Sequence, residues 1–134
     1  MWRRLKNDRV YDLRFELLIL KFLELWEGTC VKDSWSRALP KEIFPRFPNL
    51  TPAVCINACK AKKFRYAGVQ AGSQCFCGNY APETRIAPMN ECNRICPGDR
   101  SVPCGGHWRM NVFYTHSMNK YIFLTSSFHI SLPN

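Results

Sequence analysis

Cysteine offers the most varied chemistry in this chain. Its eight copies fall at positions 30, 55, 59, 75, 77, 92, 96 and 104, and none lies in either tail. A thiolate can attack a carbonyl, hold a metal or close a disulfide, and spacing helps decide between these uses. A zinc knuckle wants Cys-x-x-Cys, which does not occur, and the three histidines come late, at His107, His116 and His129. An even number of cysteines in a short stretch reads as a disulfide framework in an oxidising compartment. In a reduced compartment the preference would pass to metal. With every cysteine bridged no thiol nucleophile remains. His107 has no evident cysteine or carboxylate partner in the sequence, and Asp33, Glu83, Glu91 and Asp99 sit near turns with nothing to pair them as acid and base. No catalytic site, metal site or cofactor is expected.

These cysteines need elements to position them. Gly28 to Leu39 reads as a strand entering a turn. Pro40, Pro45 and Pro48 make the next stretch a loop. Thr51-Pro52 is a helix start, with Thr as N-cap and Pro in the first turn, and the helix runs to about Lys62. Tyr66–Gln70 and Gln74–Cys77 read as short strands around Ala71-Gly72-Ser73, and the second closes at Gly78-Asn79. Pro97-Gly98-Asp99 is a turn, and Met110–Tyr114 is a last strand. The fold class is α+β: a small disulfide-rich module with one short helix packed on a small antiparallel sheet.

Cys55 and Cys59 share one face of the helix, about 6 Å apart along its axis. Cys75 and Cys77 share one face of a strand, about 6.6 Å apart. A helix laid along that strand brings both pairs to the ~5.5–6 Å Cα separation of a disulfide. Cys96 and Cys104 flank the Pro97-Gly98-Asp99 turn, which leaves Cys30 for Cys92. Eight cysteines allow 105 pairings, and helix direction decides whether the middle bridges are parallel or crossed, so spacing alone does not fix connectivity.

At this level of detail residues 28–115 resemble the WSC domain family. The resemblance rests on Gly28-Thr29-Cys30, Asp33, Arg37-Ala38-Leu39-Pro40 and the helix Thr51–Cys59. It continues through Phe64–Gln70, Gly72, Gln74-Cys75-Phe76-Cys77-Gly78-Asn79, Glu91-Cys92-Asn93, Cys96–Asp99, Cys104-Gly105-Gly106 and Met110–Tyr114. Thr29 departs from the family's usual aromatic before the first cysteine. The resemblance implies the pairs Cys30–Cys92, Cys55–Cys75, Cys59–Cys77 and Cys96–Cys104. It also implies an extracellular or lumenal module that binds carbohydrate, as in fungal cell-wall stress sensors, Kremen-type receptors, polycystins and some glycosyltransferases.

Sugar recognition needs an aromatic platform with amides and charges around it. Tyr66, Gln70, Phe76, Asn79, Trp108 and Arg109 supply those types, although Tyr66 and Phe76 also fit a core and Gln70 and Asn79 flank turns. Trp35 fits packing against the module. Asn49-Leu50-Thr51 is a glycosylation sequon, in tension with Thr51 as helix cap and with Pro52. The chain carries a formal charge of +9, and residues 28–115 hold twelve Lys/Arg against five Asp/Glu. That favours anionic partners, an acidic extracellular protein among them. Only Lys60, Lys62 and Lys63 cluster, so nucleic acid is not an expected partner.

Residues 1–27 open with a basic start, but Arg14, Glu16, Lys21 and Glu24 interrupt the apolar stretch that follows. It is neither a good signal peptide nor a membrane span. The expectation is an atypical leader, or a start other than the natural one. Residues 116–134 are expected to be a disordered tail. The leading function is a non-catalytic extracellular module for polysaccharide or glycoconjugate. The alternatives are a protein-interaction module of a receptor ectodomain and an accessory module of a glycosyltransferase.

Overall fold

The computed structural model describes residues 26–116. The expectations for the two tails, an N-terminal leader and C-terminal disorder, lie outside the described residues except at Trp26, which is buried in the core, and Glu27, which opens the first strand.

The strands are β1 (Glu27–Lys32), β2 (Lys41–Phe44), β3 (Tyr66–Gln70), β4 (Gln74–Gly78), β5 (Ile95–Cys96), β6 (Asp99–Pro103) and β7 (Arg109–Tyr114), with one α-helix, α1 (Pro52–Ala61), and two 3-10 turns at Glu83–Arg85 and Met89–Glu91. Five strands form an antiparallel sheet in the order β1-β7-β3-β4-β2, and β5 and β6 form a separate hairpin. The helix starts where a cap would start it. The Thr51 hydroxyl accepts from the Val54 amide at 3.1 Å, and Pro52 needs no partner for its nitrogen.

Alternation along the strands divides the core between two sheet faces. On the helix face Ala67 and Val69 of β3, Cys75 and Cys77 of β4 and Phe113 of β7 pack with Cys55, Ile56 and Cys59 of α1. On the other face Tyr66, Phe76, Met110 and Val112 pack under Trp26, Val31 and Leu39.

Four disulfides staple these layers. Cys55–Cys75 and Cys59–Cys77 join α1 to β4 with Cα separations of 5.6 and 5.5 Å. The helix runs in the same direction as β4, so the two bridges are parallel rather than crossed. Cys30–Cys92 ties β1 to the loop between β4 and β5, and Cys96–Cys104 closes the hairpin. The Sγ atoms of Cys55, Cys59 and Cys75 lie within 4.8 Å of one another, but each is already bonded in a disulfide. Bridges of this number place the module in an oxidising compartment, outside the cell or in the secretory lumen.

The structure differs from the sequence reading in two places. Lys41–Phe44 is a strand, not a loop. Pro40 and Pro45 bracket those four residues without interrupting them, and β2 is an edge strand paired only with β4. The Pro97-Gly98-Asp99 turn also leads directly into a strand, β6, that pairs back with β5.

Candidate functional site

Three loops meet at the end of β3 on the sheet face away from the helix. The first, residues 33–38, is built around Asp33. Its buried carboxylate accepts from the Ala38 amide at 2.9 Å and pairs with the Arg37 guanidinium at 2.7 Å. Ser34 donates to the Ser36 carbonyl at 3.0 Å, and Arg85 braces the turn by reaching the hydroxyl of Ser34. The loop therefore holds its shape while Trp35, between the two serines, is 86% exposed.

The second loop is the β3–β4 turn, with Ala71 and Gly72 both at positive φ, and its Gly72 amide donates to the Cys104 carbonyl. The third runs from Cys104 to Trp108. Gly105 sits at φ +72, and a Cβ there would stand 2.5 Å from two backbone carbonyl oxygens, of Arg109 and Val69, so only glycine fits. Trp108 also has positive φ, +54. Its carbonyl is held by the Asp33 amide at 3.0 Å and by Arg109 Nη1 at 2.8 Å.

The three loops enclose a cleft of about 140 Å³ lined by Arg37, Gln70, Gln74, Arg94, His107 and Trp108. Trp35 stands beside it with its ring edge-on to Trp108, centroids 5.3 Å apart. Arg37 is sandwiched between the Phe76 and Trp108 rings, 5.2 and 5.1 Å from their centroids. Gln70 is only 4% exposed, and its Oε1 has no hydrogen-bond partner in the protein. A buried amide oxygen left without a donor is costly, so this atom calls for a ligand or solvent donor from the cleft.

Of the residues the sequence singled out for sugar binding, the structure brings Gln70 and Trp108 together here. Phe76 lies beneath Arg37 and is 1% exposed. Tyr66 is packed between Trp26 and Tyr114. Burial pushes its phenol above the usual tyrosine range, helped by the nearby Tyr114 and Glu83 and opposed by Arg65. Arg109 is paired with Glu91 at 2.6 Å and lines a neighbouring polar depression with Asn90 and Asn93. Asn79 accepts from the Arg65 amide and lies in a separate hollow with Lys63 and exposed Tyr80. Asn49 is exposed, while the hydroxyl of its sequon partner Thr51 caps α1. The sequence reading left Trp35, Arg37, Gln74, Arg94 and His107 out of the site. The available signal was a large aromatic between two serines in a loop, Ser34-Trp35-Ser36.

Residues 28–106 match the family model for the WSC domain. Kremen protein 1 of Homo sapiens is 41% identical over 68 residues, 49% of this chain and 14% of that protein. Xylosyltransferase oxt of Drosophila pseudoobscura pseudoobscura is 35% identical over 88 residues, 64% of this chain and 10% of that protein. A WSC domain-containing protein of Arthroderma benhamiae is 34% identical over 89 residues, 66% of this chain and 12% of that protein. The chain thus spans a small fraction of the length of each of these relatives.

Proposed function

This chain belongs to the WSC domain family, and from that premise we propose that it is a non-catalytic extracellular module that binds polysaccharide or glycoconjugate across the Trp35–Trp108 face. One observation carries the reading. A fixed loop holds an almost fully exposed tryptophan beside a cleft containing a buried amide oxygen with no partner. An indole offers an apolar plane to the C–H face of a sugar ring, and an amide satisfies hydroxyls. A platform already ordered before binding loses little entropy when the ligand arrives.

A glycan array probed with the oxidised protein tests this. The expected result is binding to a subset of β-glucans or sulfated glycans, abolished in Trp35→Ala. That variant should unfold at the wild-type temperature, because an exposed side chain changes stability by only about 0.5 kcal/mol. A blank array across both glycan classes, or a Trp35→Ala protein that binds like wild type, contradicts the proposal.

A second reading is a protein-interaction module of a receptor ectodomain. It is favoured by the 41% identity to Kremen protein 1 and by the excess of basic residues, which would face an acidic protein. The similarity to a xylosyltransferase supports the further option of a module attached to a glycosyltransferase.

A further inference from the structure

We infer that the cleft takes an acidic sugar unit, its carboxylate or sulfate set against the Arg94 guanidinium while a ring hydroxyl donates to Gln70 Oε1. This deepens the carbohydrate-binding proposal and rests on it.

The charges around the cleft carry the inference. None of its lining residues is acidic. Three carboxylates around the cleft are committed: Asp33 to Arg37 and the Ala38 amide, Glu42 to the Gln74 side chain at 3.3 Å, and Glu91, beside His107, to Arg109 at 2.6 Å. Arg37 is in turn neutralised by Asp33 and covered by two aromatic rings. Arg94 differs, because its exposed guanidinium has no carboxylate partner among the described residues.

Its backbone is nevertheless fixed. The Arg94 amide donates to the Gly105 carbonyl at 2.8 Å, and its carbonyl accepts from the Cys104 amide at 2.6 Å. The same loop receives the Gly72 amide at Cys104, so the charge is mounted on the frame that shapes the cleft. Free surface lysines such as Lys62 and Lys63 sit after α1, on the face of the sheet away from this cleft. The cleft therefore combines a planar cation suited to bidentate carboxylate or sulfate contact, a buried acceptor suited to a hydroxyl, and an indole suited to a ring face. An acidic saccharide presents all three complements within one residue. A neutral saccharide leaves Arg94 unused, and a simple anion leaves Gln70 Oε1 and the indoles unused.

The test takes the backbone giving the strongest array response and compares three oligosaccharides of it by calorimetry: neutral, C6-carboxylate and sulfate ester. Wild type should bind at least one acidic form about tenfold more tightly than the neutral one, the scale of one charge-assisted hydrogen bond. Arg94→Gln should erase that preference. The Lys62→Gln/Lys63→Gln double variant should keep the preference. Which acidic form is favoured distinguishes a uronate from a sulfated ligand.

Equal affinity for neutral and acidic forms overturns the inference and leaves the carbohydrate proposal standing. So does a preference that survives Arg94→Gln, or one lost with the lysines, which would mark diffuse surface charge. A blank array overturns both.

Discussion

Trp108 holds a left-handed backbone, φ +54, that costs a non-glycine residue roughly 1–2 kcal/mol. Two hydrogen bonds to its carbonyl and the stack on Arg37 over-determine that conformation. The indole is thereby placed at the mouth of the cleft. Tyr66 makes the opposite use of an aromatic ring. Buried on the closed part of the same sheet face, its phenol favours the protonated form more in the folded than in the unfolded chain. Folding stability is therefore unaffected by Tyr66 below the unfolded tyrosine range near pH 10. It falls as pH rises through and above that range, where the unfolded state sheds the proton first. Denaturant midpoints measured at rising alkaline pH should drop for wild type. The drop should be smaller in Tyr66→Phe, and equal drops would contradict the assignment. Residue types suited to sugar were readable in the sequence, but their grouping was not. Period two places Tyr66 and Gln70 on one face of β3, yet says nothing of what covers that face. Leu39 and Arg37, from a distant loop, close over Phe76 and leave the Gln70 end open.

At the scale of elements the helix and its strand were the most legible part. The α1 limits follow from the Thr51 cap and Pro52, and β3 and β4 follow from runs bounded by Ala71-Gly72-Ser73 and Gly78-Asn79. The strand β2 was hidden because its four residues show little alternation and lie between prolines. Its pairing with β4 is a tertiary contact that local propensity does not report. The helix-to-strand bridges stabilise more than their own contacts, because they limit the unfolded chain. Cys59 and Cys77 are 18 residues apart, a loop whose closure is worth about 3 kcal/mol in the chain-entropy model. Cys59→Ala should lower unfolding free energy by roughly 2–5 kcal/mol and expose one titratable thiol, Cys77, on denaturation. A variant with wild-type stability, or with no free thiol, would show that the bridge is not the clamp described.

At the scale of the molecule, the module is a five-stranded sheet with chemistry divided between its faces. The helix face is stapled and closed. The other face is capped by Leu39 and Trp26 over most of its area and opens where three loops meet. Among the described residues no helix is long and apolar enough to cross a membrane. The large relatives in which similar segments occur include a Kremen protein and a xylosyltransferase, so segments similar to this one stand in chains of different kinds. The binding face proposed for this chain is the one at Trp35 and Trp108. Two-dimensional NMR of the oxidised protein, titrated with the glycan that gives the strongest array response, tests it most directly. Saturable shifts are expected for the Trp35 and Trp108 indole signals and the Gln70 side-chain amide, with the Tyr80 and Asn79 hollow and the α1 face unmoved. Shifts centred on Asn79 and Tyr80, or spread over the lysines after α1 with the two indoles silent, would contradict it.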